Sequence, residues 1–144
     1  MTVLSEESIR LQGTASTRDD AISEAGQLLV AAGAVEPAYV DAMHERETSV
    51  STYMGNLLAI PHGTNEAKGS IVRTGLSFVR YDDGIDWNGN PVKFVLGIAG
   101  AGDDHLTLLG QIAEVFMDSD RIAELEAAGS PADVLAVLSG VSGG

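Results

Sequence analysis

Three histidines, His44, His62 and His105, are the side chains in this sequence best suited to chemistry near neutral pH. An imidazole titrates at about pH 6.5, and its neutral form is a nucleophile, a proton acceptor or a metal ligand. The chain has no cysteine, which excludes thiolate metal sites, a cysteine nucleophile and a disulfide framework. The histidines are therefore the first candidates for a reactive site.

His62 has the most suggestive surroundings of the three. Residues 57–60 are apolar and predict a short strand, which Pro61 ends by fixing a backbone dihedral and removing a donor. Gly63 lets the backbone approach an anion closely, and Thr64 adds a hydroxyl and a backbone N–H. A histidine in a loop at the end of a strand is placed for reaction. Spacing alone leaves a purely structural turn equally open.

His105 follows a glycine-rich loop, residues 100–102, and lies in the first turn of a predicted helix. A helix N-terminus presents free N–H groups and positive potential, which suit a phosphate. Asp103 or Asp104 is predicted to cap this helix, and both carboxylates oppose an anion unless their side chains turn away. His44 has no such context and is interpreted as an ordinary helix residue.

A pair of imidazoles beside an arginine suits phosphoryl transfer. One neutral ring attacks phosphorus, and the second ring donates a hydrogen bond. A guanidinium neutralises charge on the phosphoryl oxygens. This chemistry requires no metal.

Composition limits the class of protein. A chain of 144 residues predicts one domain with a proper hydrophobic core. A net charge of −13 argues against a nucleic-acid partner, which needs clustered Lys and Arg. The acidity favours a basic protein partner or simply solubility. No apolar run approaches the roughly 20 residues of a membrane span, and residues 1–10 are polar, so a cytoplasmic protein without membrane insertion is expected.

Hydrophobic periodicity predicts helices at both ends of the chain and strands in the middle. The predicted helices lie between Thr17 and Gly33 and over residues 37–48, 104–117, 119–127 and 131–138. The predicted strands cover residues 57–60, 70–81, 85–87 and 91–99, with a loop at 49–55 and turns at 82–84 and 88–90. Leu106, Leu109, Ile112, Ala113 and Phe116 form the expected inward stripe of the 104–117 helix. We therefore predict a single α/β domain, a mixed parallel/antiparallel β-sheet flanked by helices, with a flexible tail from about residue 139.

Three segments resemble one family. Residues 53–64, Tyr53-Met54-Gly55-Asn56-Leu57-Leu58-Ala59-Ile60-Pro61-His62-Gly63-Thr64, are similar to the phosphorylation-site segment of the mannitol and fructose type EIIA components of the bacterial sugar phosphotransferase system. Residues 97–99 followed by 104–106 resemble its second histidine segment, and residues 45–47 its arginine segment. The resemblance extends over nearly the whole chain, and the mannitol branch is closest because residues 85–105 follow its pattern.

The resemblance implies a phosphotransferase component with a phosphohistidine intermediate and no cofactor. In that family the carrier HPr donates a phosphoryl group, and the EIIA domain passes it to a cysteine of an EIIB component for sugar uptake. His62 matches the accepting histidine and His105 the assisting one. Arg46 matches the arginine that stabilises the phosphoryl charge, although Arg73 is a rival on sequence alone. Gly63 and Thr64 are expected to support the phosphoryl loop.

One position departs from the family pattern. Asn56 stands where the mannitol type has a glutamate, six residues before His62. An amide cannot act as a carboxylate, so any tuning or partner contact that the glutamate supplies is weakened. Transfer is still expected because His62, His105 and Arg46 remain, while the sugar assignment is less firm.

Two other functions are alternatives on these residues. A regulatory EIIA-like module would use the phosphorylation state of His62 to control protein partners. A metal-dependent hydrolase using His62 and His105 is disfavoured, because the His-Glu-x-x-His spacing is absent. For a carrier, the partner surface is expected to be an apolar patch around His62, with contributions from Leu57, Leu58 or the loop near His105.

Overall fold

Two β-sheets and five α-helices make up the part of the chain that the computed structural model describes, residues 3–139 and 141. The helices are α1 (Arg18–Ala31), α2 (Ala38–Ser49), α3 (Asp104–Phe116), α4 (Ser119–Ala127) and α5 (Pro131–Val137). The strands are β1 (Ile9–Arg10), β2 (Tyr53–Gly55), β3 (Leu58–Ala59), β4 (Gly75–Leu76), β5 (Phe78–Trp87), β6 (Asn90–Val95) and β7 (Ile98–Ala99). Two 3-10 helices cover Glu6–Ser8 and Asn65–Ser70.

The larger sheet has the strand order β1-β5-β6-β3-β2 and mixes both orientations. β1 runs parallel to β5 and β3 parallel to β6, whereas β5–β6 and β2–β3 are antiparallel. β4 and β7 form a separate antiparallel pair. The predicted single α/β domain with a mixed sheet flanked by helices is confirmed.

The sheet separates two hydrophobic cores. Side chains alternate along a strand, so Phe78 and Phe94 face one side while Val79 and Val95 face the other. Apolar residues of α3, α4 and α5 cover the first face, and those of α1 and α2 cover the second. Trp87 is fully buried in the second core. The histidine-bearing segments are therefore supported by packed layers on both sides.

The β5–β6 hairpin confirms one predicted turn and corrects another. Asn88 and Gly89 both have positive φ (56° and 93°), as a two-residue type I′ turn requires. The predicted pairing of residues 85–87 with the next segment is confirmed. The predicted turn at 82–84 is wrong, because these residues lie inside β5, where the register shifts and Gly84 has a φ of +80°. An Asp-Asp-Gly run here forms a bulge instead of a turn.

Two predicted strands are each divided between the sheets. Residues 70–74 are not in a strand, and Ser77 then separates β4 from β5; Leu96 and Gly97 separate β6 from β7. Ser77 fixes the place where these two segments pass from one sheet to the other. Its N–H donates to the Gly97 carbonyl, and its hydroxyl donates to the Ala25 carbonyl on α1. The loop predicted at 49–55 contains β2, because this segment turns back on β3.

Helices α1 and α5 begin at residues whose side chains cap them. Thr17 accepts a hydrogen bond from the Asp20 N–H and caps α1, and Ser130 does the same for α5 through Asp133. The inward stripe of α3 is rotated from the prediction: Leu106 is 72% exposed, and Leu108 is buried instead. The tail prediction falls partly on residues 140 and 142–144, which lie outside the described residues, while Val141 packs in the first core. No helix among the described residues is long and apolar enough to cross a membrane.

Glu24 on α1 is a buried carboxylate that ties the chain before α1 to β5. It accepts hydrogen bonds from Arg10 Nη1 (2.6 Å), Tyr81 Oη (2.5 Å) and the backbone N–H groups of Thr14 and Ala15 (3.0–3.2 Å). Burial alone raises the pKa of this carboxyl, but the hydrogen bonds outweigh burial and lower its pKa below the ordinary value of 4.5. The charged form of Glu24 therefore stabilises the fold.

Replacing Glu24 with glutamine is expected to lower the free energy of unfolding at neutral pH by about 2 kcal/mol, because hydrogen bonds to a charged acceptor contribute about 1.5–3 kcal/mol. The folded-state pKa is depressed, so this stabilisation is complete above the unfolded-state pKa and is lost as the pH falls through the folded-state value. Urea unfolding should show the two proteins converging below about pH 4.5. Glu124→Gln, at an exposed site, is the control. A difference that stays constant down to about pH 3 would contradict the assignment.

Candidate functional site

The segment that carries His62 continues from β3 and lies beside β7. His62 forms a parallel bridge with Ile98, and the Ile98 N–H donates to the Pro61 carbonyl (3.0 Å). His62 Nδ1 lies 2.8 Å from the Ile60 carbonyl oxygen. Since a carbonyl only accepts, Nδ1 carries the proton and Nε2 keeps its lone pair. The backbone thereby leaves Nε2 as the ring nitrogen that could act as a nucleophile.

A tyrosine hydroxyl completes this arrangement. Tyr39 Oη on α2 donates to the Ile98 carbonyl (2.8 Å) and accepts from the Gly63 N–H (2.9 Å). The second link between the His62 segment and β7 thus runs through a side chain. A Cβ at position 63 would lie 2.6 Å from the Tyr39 ring, so only glycine fits there. Burial raises the pKa of Tyr39, which keeps the phenol protonated at neutral pH.

His105 lies opposite His62 in the first turn of α3. The two ring centroids are 4.7 Å apart, with the planes tilted by 58°. The loop before α3 packs tightly on it, since a Cβ at Gly100 would lie 2.4 Å from His105 Cα. Both imidazoles therefore meet at the positive end of a helix.

Asp103 stands at the N-cap position of α3, as predicted for Asp103 or Asp104, but the side-chain capping bond is absent. Neither Asp103 nor Asp104 caps the helix with its side chain. Asp104 instead accepts a hydrogen bond from the Thr74 hydroxyl (2.6 Å), which in turn accepts from the Ala101 N–H (3.1 Å). The Asp104 carboxylate is thus engaged with Thr74.

The structure brings Arg46 to the histidines and leaves Arg73 elsewhere. Arg46 lines the same cleft and is held by a hydrogen bond from Nη1 to the Val50 carbonyl (2.6 Å). Arg73 donates to the Ala32 carbonyl at the end of α1 (2.5 Å) and lines a different, smaller cavity. The rival assignment of Arg73 is therefore wrong.

These side chains surround an open cleft of about 220 Å³. Its lining comprises Tyr39, Arg46, His62, Gly63, Thr64, Lys68, Ile71, Gly100 and His105. The sequence interpretation named five of the nine as site residues, gave Gly100 only as part of the loop before His105, and missed Tyr39, Lys68 and Ile71. Asn56 lies outside this lining; its amide donates to the Phe116 carbonyl at the end of α3 (2.8 Å).

Burial keeps both histidines neutral. It lowers the pKa of His62, with the Ile60 carbonyl opposing the shift, the Arg46 charge adding to it and the Glu47 charge opposing it. The pKa of His105 falls to about 4, first through burial and then through the charges of His62, Lys68 and Arg46. At neutral pH the cleft thus contains two uncharged imidazoles and two cations.

Glu47 supports the site from the core side. This buried carboxylate accepts hydrogen bonds from the Thr52 N–H (3.2 Å) and hydroxyl (2.6 Å) and from Trp87 Nε1 (3.1 Å). It therefore fixes the end of α2 next to Arg46. The sequence interpretation missed Glu47, since nothing in the run Glu45-Arg46-Glu47 distinguishes a buried glutamate from an exposed one.

A helical signal could have identified Tyr39. Tyr39, Met43 and Arg46 follow an i, i+4, i+7 spacing, which places them on one face of α2. His44 is on a different face and lies 2.8 Å from the Ser23 hydroxyl on α1, a contact between helices that fits its interpretation as a structural residue. The described residues contain no group of three His, Cys, Asp or Glu side chains arranged to hold a metal ion.

Comparison with known proteins agrees with this geometry. The family described as "Phosphoenolpyruvate-dependent sugar phosphotransferase system, EIIA 2" matches residues 2–141. The mannitol-specific phosphotransferase enzyme IIA component of Halalkalibacterium halodurans is 48% identical over 98% of this chain and 97% of its own length. The corresponding Bacillus subtilis component is 41% identical over 99% of this chain and 100% of its own.

A solved structure is also similar over nearly its whole length. One chain of the Escherichia coli complex of enzyme IIA-mannitol and phosphorylated enzyme IIB-mannitol superimposes on this chain with a TM-score of 0.89 and is 35% identical to it. The match covers 97% of this chain and 99% of the matched chain. The family match and these relatives span nearly all of the sequence. The chain therefore belongs to the EIIA 2 family of the phosphoenolpyruvate-dependent sugar phosphotransferase system.

Proposed function

We propose that residues 1–144 act as one cytoplasmic phosphoryl-carrier domain that accepts a phosphoryl group from phospho-HPr on His62 and passes it to a cysteine of an EIIB component for uptake of a mannitol-type sugar. The observation that carries the proposal is the free Nε2 of His62, facing a second imidazole in a cleft with Arg46. The mannitol-specific names of the relatives support the sugar class. The complex of the Escherichia coli relative with phosphorylated IIB supports the recipient.

The geometry suits a transfer that moves no proton. The lone pair of His62 Nε2 forms a bond to phosphorus as the donor's nitrogen–phosphorus bond breaks, and that electron pair leaves with the donor ring. The proton stays on Nδ1 and is donated to the Ile60 carbonyl throughout, so the phosphorylated ring keeps the same hydrogen bond. Transfer to a thiolate repeats the step with His62 as the leaving group. Catalysis then consists of positioning and charge stabilisation.

The other residues of the cleft have distinct roles. Arg46 neutralises charge on the phosphoryl oxygens, and His105 donates a hydrogen bond to one of them. Gly63 permits the close packing on Tyr39 that fixes the loop. Thr64 does not cap the following 3-10 helix with its side chain, which leaves its hydroxyl for the cleft.

Asn56, which stands where the resemblance places a glutamate, has a structural contact of its own. Asn56 and Leu57 form the β2–β3 turn with positive φ (52° and 68°). The Asn56 amide donates to the Phe116 carbonyl at the negative end of α3, where a carboxylate would be repelled. In this chain the position therefore joins the hairpin to the helix that carries His105.

Exposed apolar side chains near the cleft supply a partner surface. Leu106 (72% exposed) follows His105, and Val72 and Val50 lie beside cleft residues. The predicted contribution of Leu58 is wrong, because only 1% of this residue is exposed on the β3 strand. The charge of −13 favours encounter with a basic donor.

His62→Gln is expected to abolish phosphorylation when the protein is incubated with phosphoenolpyruvate, the first enzyme of the system and HPr. Mass measurement should show one acid-labile phosphoryl group on the wild type and none on the variant. His105→Ala and Arg46→Ala should retain the acceptor and react about 100-fold more slowly, because each removes a donor to the phosphoryl oxygens. His44→Gln is the control. An unlabelled wild type would refute the proposal.

The lowered pKa values of both histidines have a direct consequence for pH. His62 and His105 should titrate below the ordinary 6.5, His105 near 4, because burial disfavours the charged rings. The nucleophile should thus remain neutral throughout the physiological range. NMR titration of the ring protons measures both values. A ring that becomes charged at or above pH 6.5 would contradict the assigned environment.

Transfer of the phosphoryl group to an EIIB component distinguishes a carrier from a regulatory EIIA-like module. Phosphorylated protein mixed with the EIIB component of a mannitol-type permease should lose its label to a cysteine of that component. An EIIB variant with the cysteine replaced by serine is the control. A phosphoprotein that retains its label with both recipients would favour the regulatory role.

A further inference from the structure

Lys68 differs from the other cations of this acidic chain. The sequence contains eight Lys and Arg residues. Five of them form ion pairs, Arg10–Glu24, Arg18–Asp19, Arg80–Asp82, Lys93–Glu126 and Arg121–Asp118. Arg46 and Arg73 donate to backbone carbonyls. Within residues 3–139 and 141, Lys68 is the cation whose side chain has neither an ion pair nor a hydrogen bond.

This unpaired ammonium lies at the histidine cleft. Lys68 and Arg46 are the two cations of its lining, and none of the described lining residues is an Asp or Glu. The whole chain has 21 acidic residues, so a cleft with two cations and no carboxylate is a marked local exception. With both imidazoles neutral, the lining has two positive charges, and a phosphoryl group has about −1.5 to −2 at neutral pH.

The backbone of Lys68 is firmly held at the rim of this cleft. Its 3-10 helix, Asn65–Ser70, begins with a bond from the Ala67 N–H to the Thr64 carbonyl (3.1 Å). At the other end, the Glu36 N–H donates to the Ser70 carbonyl (2.8 Å), and Ile71 forms a bridge with Val35. The backbone at Lys68 is thus fixed, while its ammonium group has no partner among the described residues.

The charge of Lys68 reaches the ring of His105. After burial and the charge of His62, it is the next contribution that lowers the pKa of His105. An ammonium without a protein partner loses no protein hydrogen bond when it binds an anion and gives up only rotamer freedom. Such a group binds an incoming phosphoryl group at low cost.

We propose that Lys68 is a second phosphoryl-binding cation, which contacts the phosphoryl oxygens during transfer and, together with Arg46, matches their charge. The inference rests on the proposed function of His62 and adds a catalytic residue to it. Arg46 is fixed by the Val50 carbonyl and gives a preformed contact. Lys68 closes on the group once it is present.

The chain offers a matched control for this proposal, since its two lysines are Lys68 and Lys93. Lys93 lies outside the cleft lining and pairs with Glu126 (3.8 Å). Lys68→Met and Lys93→Met change the net charge equally, and Lys68→Arg keeps the charge at the cleft. Two measurements apply to each variant. The first measurement is the binding of inorganic phosphate, monitored through the NMR chemical shifts of the His62 and His105 rings. The second is the rate of phosphoryl transfer at saturating phospho-HPr.

Lys68→Met is expected to weaken phosphate binding and to slow transfer at saturation about tenfold or more. Lys93→Met should match the wild type, and Lys68→Arg should recover part of the loss. The proposal would be overturned if the two methionine variants had equal phosphate affinities and equal transfer rates. It would also be overturned if Lys68→Met changed only the phospho-HPr concentration at half-maximal rate and left the rate at saturation unchanged. If the wild type accepts no phosphoryl group, the proposed function fails, while phosphate binding still decides whether Lys68 binds an anion.

Discussion

The site depends on the hydrogen bond from His62 Nδ1 to the Ile60 carbonyl. This bond decides which ring nitrogen keeps a lone pair and in which direction that lone pair points. It works only if the backbone of residues 60–63 is held still. The pairing with Ile98 and the hydroxyl of Tyr39 provide that hold, and Gly63 makes room for the tyrosine ring.

The helices packed on the two faces of the sheet position the other side chains of the cleft. α2 supplies Tyr39 and Arg46 from one face, and the buried Glu47 anchors the end of that helix to Trp87 and Thr52. On the opposite face of the sheet, α3 positions His105 and is fixed at its far end by Asn56. Two helices on different layers therefore converge on one imidazole pair.

The sequence predicts the mixed α/β fold, the hairpin at Asn88 and the histidine pair, because each has a local signal. Asn-Gly demands a tight turn, and apolar periodicity identifies helices whatever their neighbours. What it could not predict depends on tertiary contacts. Asp104 turns to Thr74 instead of capping α3, and Leu106 is exposed because α3 is rotated relative to its apolar pattern.

Buried polar residues were missed for the same reason. Tyr39 and Glu47 are distinguished by partners that are distant in sequence, such as Ile98 and Trp87. Lys68 is distinguished by the lack of a partner among the described residues, which no spacing shows. The Asp-Asp-Gly run at 82–84 is typical of a turn, yet strand pairing on both sides of it converts it into a bulge.

The charge of the cleft, whose described lining has two cations and no carboxylate, affects how the donor protein is replaced by the recipient. Before transfer the cleft is a positive spot on a strongly acidic surface, whereas a phosphoryl group on His62 would cancel most of that charge. Donor and recipient would then meet two electrostatically different surfaces on the same protein. A donor that has just given up its phosphoryl group would no longer carry the anion that the two cations attract, so this part of its attraction to the cleft would end with transfer. The arrangement of two cations thus gives the carrier an intrinsic means of exchanging one partner for the next.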